Sequence, residues 1–222
     1  MPSSPVAERR PDPCRRTVRG RGACHARRWI LPFVLPLALA GCSGGPAPKL
    51  YVLEPLAGAE PALRSEAAGE VEALGTALVT LPGYARDPRI ASRRGSNRVD
   101  IDDEHRWAQE PEEAITRLLA ERLRSRAAAT VLIEPWPRDF APEARVEVDF
   151  DRLLRTPEGG VEAAGYIRLL SGNGREVLNV QPFRLARRSA SVAPAAFFVA
   201  VSALVDDLAR LALEALREGT PS

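Results

Sequence analysis

A cysteine at position 42, directly after Leu39-Ala40-Gly41, decides how much of this chain is left to fold. Before it stand an arginine-rich leader and a mostly apolar run of 12 residues, Trp29 to Ala40. A charged start, an apolar middle and small residues at the cut are the order of a secretory signal. A cysteine immediately after the small residues turns that signal into a lipobox. In a lipobox a diacylglyceryl group joins the cysteine sulfur, the leader is cut between Gly41 and Cys42, and the new amino terminus is acylated.

Other readings of the same stretch fare worse. A membrane-spanning helix needs roughly 20 apolar residues, and this run is interrupted by Pro32 and Pro36. Both prolines also oppose a buried core helix. A disulfide to Cys42 would need Cys14 or Cys24, which leave with the leader. Each buried methylene of an acyl chain contributes about 0.8 kcal/mol, so three chains hold a protein to a membrane far more firmly than one. The leader exceeds the usual length of about 15–30 residues, which suggests a translation start further in.

Removing residues 1–41 from the 222 leaves 181, enough for one domain with a real core. The formal charge of +2 belongs to the leader: without its eight Arg and two acids, 23 basic and 27 acidic residues remain, a net −4. A mildly acidic body is a poor nucleic-acid binder. Of the cysteines and histidines only Cys42 and His105 remain, which argues against a Cys/His metal site, a catalytic thiol or a structural disulfide.

Residues 42–48 form a Gly/Pro-rich tether, and 49–222 the folded domain. Leu50-Tyr51-Val52-Leu53 reads as a first strand, and 56–70 as a loop. The nearly continuous apolar run Ala77 to Leu81 predicts a strand covered on both faces. Residues 84–108 show little periodicity beyond short strands at 89–91 and 99–101. Pro111 opens a helix with Glu110, Glu112 and Glu113 at its positive end. Its apolar stripe is Ile115, Leu118, Leu119 and Leu123, with Glu112, Arg117, Glu121 and Arg124 facing water. Thr130 to Ile133 follows as a further buried strand.

The C-terminal half is patterned more clearly. Val146, Val148 and Phe150 alternate with charged residues, Val161 to Leu170 is a second strand, and Asn173-Gly174 marks a hairpin into a third, which bends near Pro182. A helix from Pro194 to Arg217 closes the chain, with Ser202, Asp206, Arg210 and Glu214 on its polar side. The expected class is α/β (α+β): a single domain whose mixed sheet ends in an antiparallel meander packed by two main helices.

No nucleophile elbow, phosphate loop or metalloprotease motif occurs. One cluster, Asp102-Asp103-Glu104-His105-Arg106-Trp107, could in principle support acid–base chemistry. The structural reading is that Trp107 or His105 plugs the base of the first helix while the charges are solvated. Around the cluster, residues 82–98 carry five Arg and one Asp, and 99–113 carry seven acids and one Arg. A solvated loop and a complementary contact between copies of the chain both fit that segregation.

Leu81-Pro82-Gly83-Tyr84, Asp87-Pro88-Arg89-Ile90 and His105-Arg106-Trp107-Ala108 stand in the order and spacing of a known family. The chain resembles the PqiC-like ABC-type transport auxiliary lipoproteins from Tyr51 through the final helix. The resemblance implies a non-enzymatic lipoprotein of an MCE-type intermembrane lipid-transport system that supports membrane integrity. It further implies a periplasmic MCE-domain tunnel protein and its inner-membrane component as partners, and a homo-oligomeric ring. No catalytic residue, metal or cofactor comes with it; the motif residues Leu81, Pro82, Tyr84, Pro88, Ile90, His105, Arg106 and Trp107 are expected to be structural. An acidic residue after the cysteine commonly holds lipoproteins at the inner membrane. Ser43 and Gly44 stand there, so the inner leaflet of the outer membrane is expected. Two alternatives stay open: a tethered periplasmic hydrolase using His105 and nearby carboxylates, and a free-standing envelope lipoprotein.

Overall fold

One long strand, β6 (Ala144–Arg155), organises the domain. The computed structural model describes residues 47–56 and 71–219; the lipobox, with Gly41 and Cys42, lies outside the described residues, as does most of the expected 56–70 loop. Along one edge of β6 runs the antiparallel meander of β7 (Val161–Ser171) and β8 (Val177–Arg187). Its inward residues Val146, Val148 and Phe150 are buried, as alternation requires. Gly174, with φ 70°, makes the turn into β8. Gly165 is required on other grounds, since a Cβ there would come within 2.0 Å of the Asp149 carbonyl oxygen. Pro182 sits in β8, a strand paired on one side only, where its missing N–H costs no ladder bond.

The opposite edge of β6 is shared by several earlier segments. β2 (Ala73–Thr76) lies parallel to its start, Thr80 bridges to Asp149 at its middle, and Ser92 of β3 (Arg89–Arg94) meets Arg155 at its end. Beyond β2 lies β5 (Thr130–Ile133), also parallel. Beyond β3 come β4 (Arg98–Trp107) and then β1 (Lys49–Tyr51), giving one mixed, open eight-stranded sheet. A four-residue turn of helix, α1 (Gly83–Arg86), precedes β3. The two main helices, α2 (Pro111–Arg126) and α3 (Pro194–Gly219), pack on the sheet and on each other. The expected class and the meander are therefore observed. No helix among the described residues is long and apolar enough to cross a membrane.

Several sequence expectations need correction. Ala77–Leu81 is extended but not covered on both faces: Ala77, Val79 and Leu81 are buried while Leu78 is 50% exposed. Its backbone is held on two sides by different chemistry. The Ala77 and Thr80 N–H groups donate to Val146 and Val148 of β6, whereas those of Val79 and Leu81 donate to Thr116 Oγ1 and Glu112 Oε1 of α2, both at 2.9 Å. Glu112 therefore does not simply face water. The strand at Thr130–Ile133 is an edge strand with only Val131 fully buried. Residues 84–108 contain a hairpin of six- and ten-residue strands, longer than the fragments expected, because charged pairs replace the apolar alternation.

The polar side of α3 also turns inward. Ser202 is buried and donates to the Glu54 carbonyl at 2.8 Å. Asp206, expected on the solvent side, pairs with Arg122 of α2 at 2.8 Å and Arg126 at 3.6 Å. Arg210 reaches Asp207, which also pairs with Arg187 at the end of β8. Buried ion pairs of this kind contribute little net stability when intact, but they are costly to break.

Candidate functional site

The motif residues Pro88 and His105 to Trp107 meet at one corner, where β1, β3, β4 and the start of α3 come together. The corner is built by an irregularity in β4. Ile90 pairs with Asp102 but Arg89 pairs with Arg106, so Asp103, Glu104 and His105 bulge out of register. The Asp102 carboxylate stabilises the bulge by accepting the Glu104 and His105 backbone N–H groups at 2.9 and 3.1 Å. Its oxygens also lie 3.0–3.1 Å from Nδ1 of the His105 ring. Partial burial works against the Asp102 charge, but these hydrogen bonds hold its carboxyl below the ordinary carboxylate range. The bulge bends the strand and re-aims its last residues.

Those residues receive β1. His105, Arg106 and Trp107 lie in parallel register with Lys49, Leu50 and Tyr51. The Ala108 N–H donates to the Tyr51 carbonyl and the Trp107 N–H to the Pro88 carbonyl, each at 2.7 Å. Tyr51 stacks on Phe198 with ring centroids 5.1 Å apart, and lies 5.9 Å from the His105 ring. Trp107 meets Phe197 and Phe198 edge-on. Trp107 thus plugs the start of the last helix, not the base of the first. Aromatic contacts of this geometry each contribute about 0.5–1.5 kcal/mol beyond area burial.

Of the other two motif segments, Ile90 lies in β3 beside the corner, whereas Leu81 donates its N–H to Glu112 of α2 and Tyr84 lies in α1. Leu81 and Ile90 are buried in the core, with Tyr84 packed against it. Burial pushes the Tyr84 phenol up, against a backbone hydrogen bond at Leu153. Asp87 accepts from the Arg89 backbone N–H at 2.8 Å and from its guanidinium at 2.7 and 2.9 Å, which draws its carboxyl down to about 2. Arg89 also reaches Asp103 of the bulge at 2.8 Å. Asp87 stands within the motif segment and Asp102 within the acidic cluster, whereas Tyr51 and Phe198 belong to neither.

All five Arg of residues 82–98 pair within the chain: Arg94 and Arg98 with Asp100, Arg89 with Asp103, Arg86 with Glu112 of α2, and Arg93 with Glu162 of β7. Of the acids in 99–113, Glu104, Glu110 and Glu113 stay exposed. As to catalysis, the His105 ring hydrogen-bonds to Asp102 and lies against Tyr51, with no serine or threonine among its hydrogen-bond partners. Among the described residues no group of three or more His, Cys, Asp or Glu could hold a metal ion. The arrangement fastens a strand.

The fold has solved counterparts. A DUF330-family protein from Xanthomonas campestris superposes with a TM-score of 0.62 at 16% identity, covering 77% of this chain and 96% of its own. An uncharacterised protein gives 0.61 at 15% identity, covering 76% and 98%. At these identities the likeness speaks to fold alone. The chain matches no curated protein. The family model described as "ABC-type transport auxiliary lipoprotein component" matches residues 51–211, from the Tyr51 that β4 receives to the middle of α3. The chain therefore belongs to the family of ABC-type transport auxiliary lipoprotein components.

Proposed function

We propose that this auxiliary lipoprotein is the outer-membrane-anchored subunit of an MCE-type intermembrane lipid-transport system. It stands on the inner leaflet through acyl chains on Cys42 and works without catalysing a reaction. In this reading residues 1–41 are removed, residues 42–48 are a tether, and the domain forms a homo-oligomeric ring against a periplasmic MCE-domain tunnel protein that meets an inner-membrane component. The observation that carries the reading is the corner itself. The motif segment His105 to Ala108 sews the strand that follows the tether into the sheet, as a body held on a lipid stem requires. The transport auxiliary lipoproteins are not a known enzyme family, and the His105 surroundings favour a structural role.

Cross-linking in intact envelopes, followed by isolation of the tagged lipoprotein, tests the partnership. The expected result is an MCE-domain protein in the adduct and the lipoprotein in the outer-membrane fraction. An adduct without an MCE-domain protein, or residence in the inner membrane, would contradict it. Light scattering on the purified mature protein tests the ring, which a monomer at all concentrations would rule out.

A further inference from the structure

We infer that the open β1 edge is a lipid-contact face, a proposal that rests on the reading of Cys42 as the anchor. β1 is the last strand of the sheet, and its outer edge is unpaired. Around that edge runs an apolar strip that the fold leaves uncovered. Leu50 is 63% exposed, Val52 56% and Val199, on the second turn of α3, 57%. Val52 and Val199 line the same shallow groove, of about 450 Å³, as Pro55, Leu56 and Ala195. Leu and Val side chains at such exposure on one rim are the composition of a surface that meets apolar matter.

The occupant follows from chain length. Six residues lie between Cys42 and Lys49, seven steps along the chain, and an extended chain spans at most about 3.6 Å per step. The start of β1 therefore stands within about 25 Å of the acylated sulfur. Hydrogen bonding of β1 to β4 and stacking of Tyr51 on Phe198 fix the strip rigidly to the body. Exposed Lys49 lies at the same end. Glu54 is the acid that lines the groove. An apolar strip with a cation beside it suits the headgroup boundary of a phospholipid leaflet. Such contact would limit the swivel of the domain on its tether.

The test uses the full acylated protein. With the Cys42 sulfur lipidated, Val52→Cys, Val199→Cys and the control Val180→Cys on β8 each add one labelling site for a nitrobenzoxadiazole fluorophore. The labelled proteins are reconstituted into phosphatidylethanolamine–phosphatidylglycerol vesicles carrying spin-labelled acyl chains. Quenching several-fold stronger at 52 and 199 than at 180 is expected. Equal quenching at all three sites, with the protein floating on vesicles, overturns the contact face and leaves the anchor intact. Protection of 52 and 199 from aqueous iodide without quenching by the lipid label also overturns it, because another protein surface would then cover the strip. Failure to float overturns the anchor reading, and the contact face falls with it.

Discussion

The C-terminal meander and the β1–β4 corner belong to one sheet but are held by different forces. In the meander, alternation does the work: Val146, Val148, Phe150, Ile167 and Leu169 point inward and pack with Leu204, Val205 and Leu208 of α3 in one core. In the corner, side chains stand in for backbone. Asp102 shapes a bulge and Asp87 holds Arg89; outside the corner, along β6, Thr116 and Glu112 of α2 likewise accept N–H groups that no strand reaches. The lesson is that an apolar face tolerates repacking, whereas a side chain bonded to a backbone group has a single geometry. The body of the fold is of the first kind, and the corner that receives β1 is of the second.

The comparison can be broken most sharply at Trp107, where the two regions meet. Trp107→Ala should cost about 3–5 kcal/mol and loosen β1 along with the start of α3. Urea unfolding with hydrogen exchange at Tyr51 and Ala108 reads both effects. Protection at those amides unchanged from wild type would mean that Trp107 is not what joins them.

Arg122→Ala should cost about 3 kcal/mol by leaving Asp206 with only the more distant Arg126. The double change Arg122→Met with Asp206→Leu should recover most of that loss, since apolar replacement of a buried pair is often neutral. A double variant no more stable than the single one would show that the pair does more than bridge α2 and α3.

Thr116→Val keeps the shape but removes the acceptor of the Val79 N–H, and should cost about 1–3 kcal/mol. Faster exchange confined to the 77–81 segment is the expected signature. Global loss of protection instead would place Thr116 in the cooperative core.

The smallest effect is expected from Asp87. Its carboxyl titrates near 2 in the folded chain against 3.8 ordinarily. A depressed carboxylate adds stability that is present above the unfolded value and lost as pH falls through the folded one. The wild type should therefore lose this contribution between about pH 4 and pH 2, and Asp87→Asn should flatten that part of the acid limb. The side chain is 33% exposed, so solvent screening keeps the effect under about 1 kcal/mol. Identical acid-unfolding curves for the two proteins would show the Arg89 pair to be without energetic weight.

The same contrast explains what could be read from the sequence. The three meander strands, the Asn173-Gly174 turn and both long helices were legible because apolar period and turn chemistry are local. The β3–β4 hairpin was not, because Arg94, Arg98 and Asp100 pair across it and mask the alternation. Likewise the run Ala77–Leu81 looks like a doubly buried strand, yet its second side is filled by two side chains from a helix more than thirty residues on. Asp206 gave no local hint of its partner, since Arg122 lies on another helix. The motif residues could be recognised but not assembled, as their meeting depends on a three-residue bulge that no periodicity announces.

The most direct test of the account is the mass of the N-terminal peptide of the mature protein extracted from membranes. The account predicts a chain that begins at Cys42, with a diacylglyceryl group on its sulfur and an acyl chain on its amine. An unmodified Cys42, or a chain still carrying its leader, would contradict it.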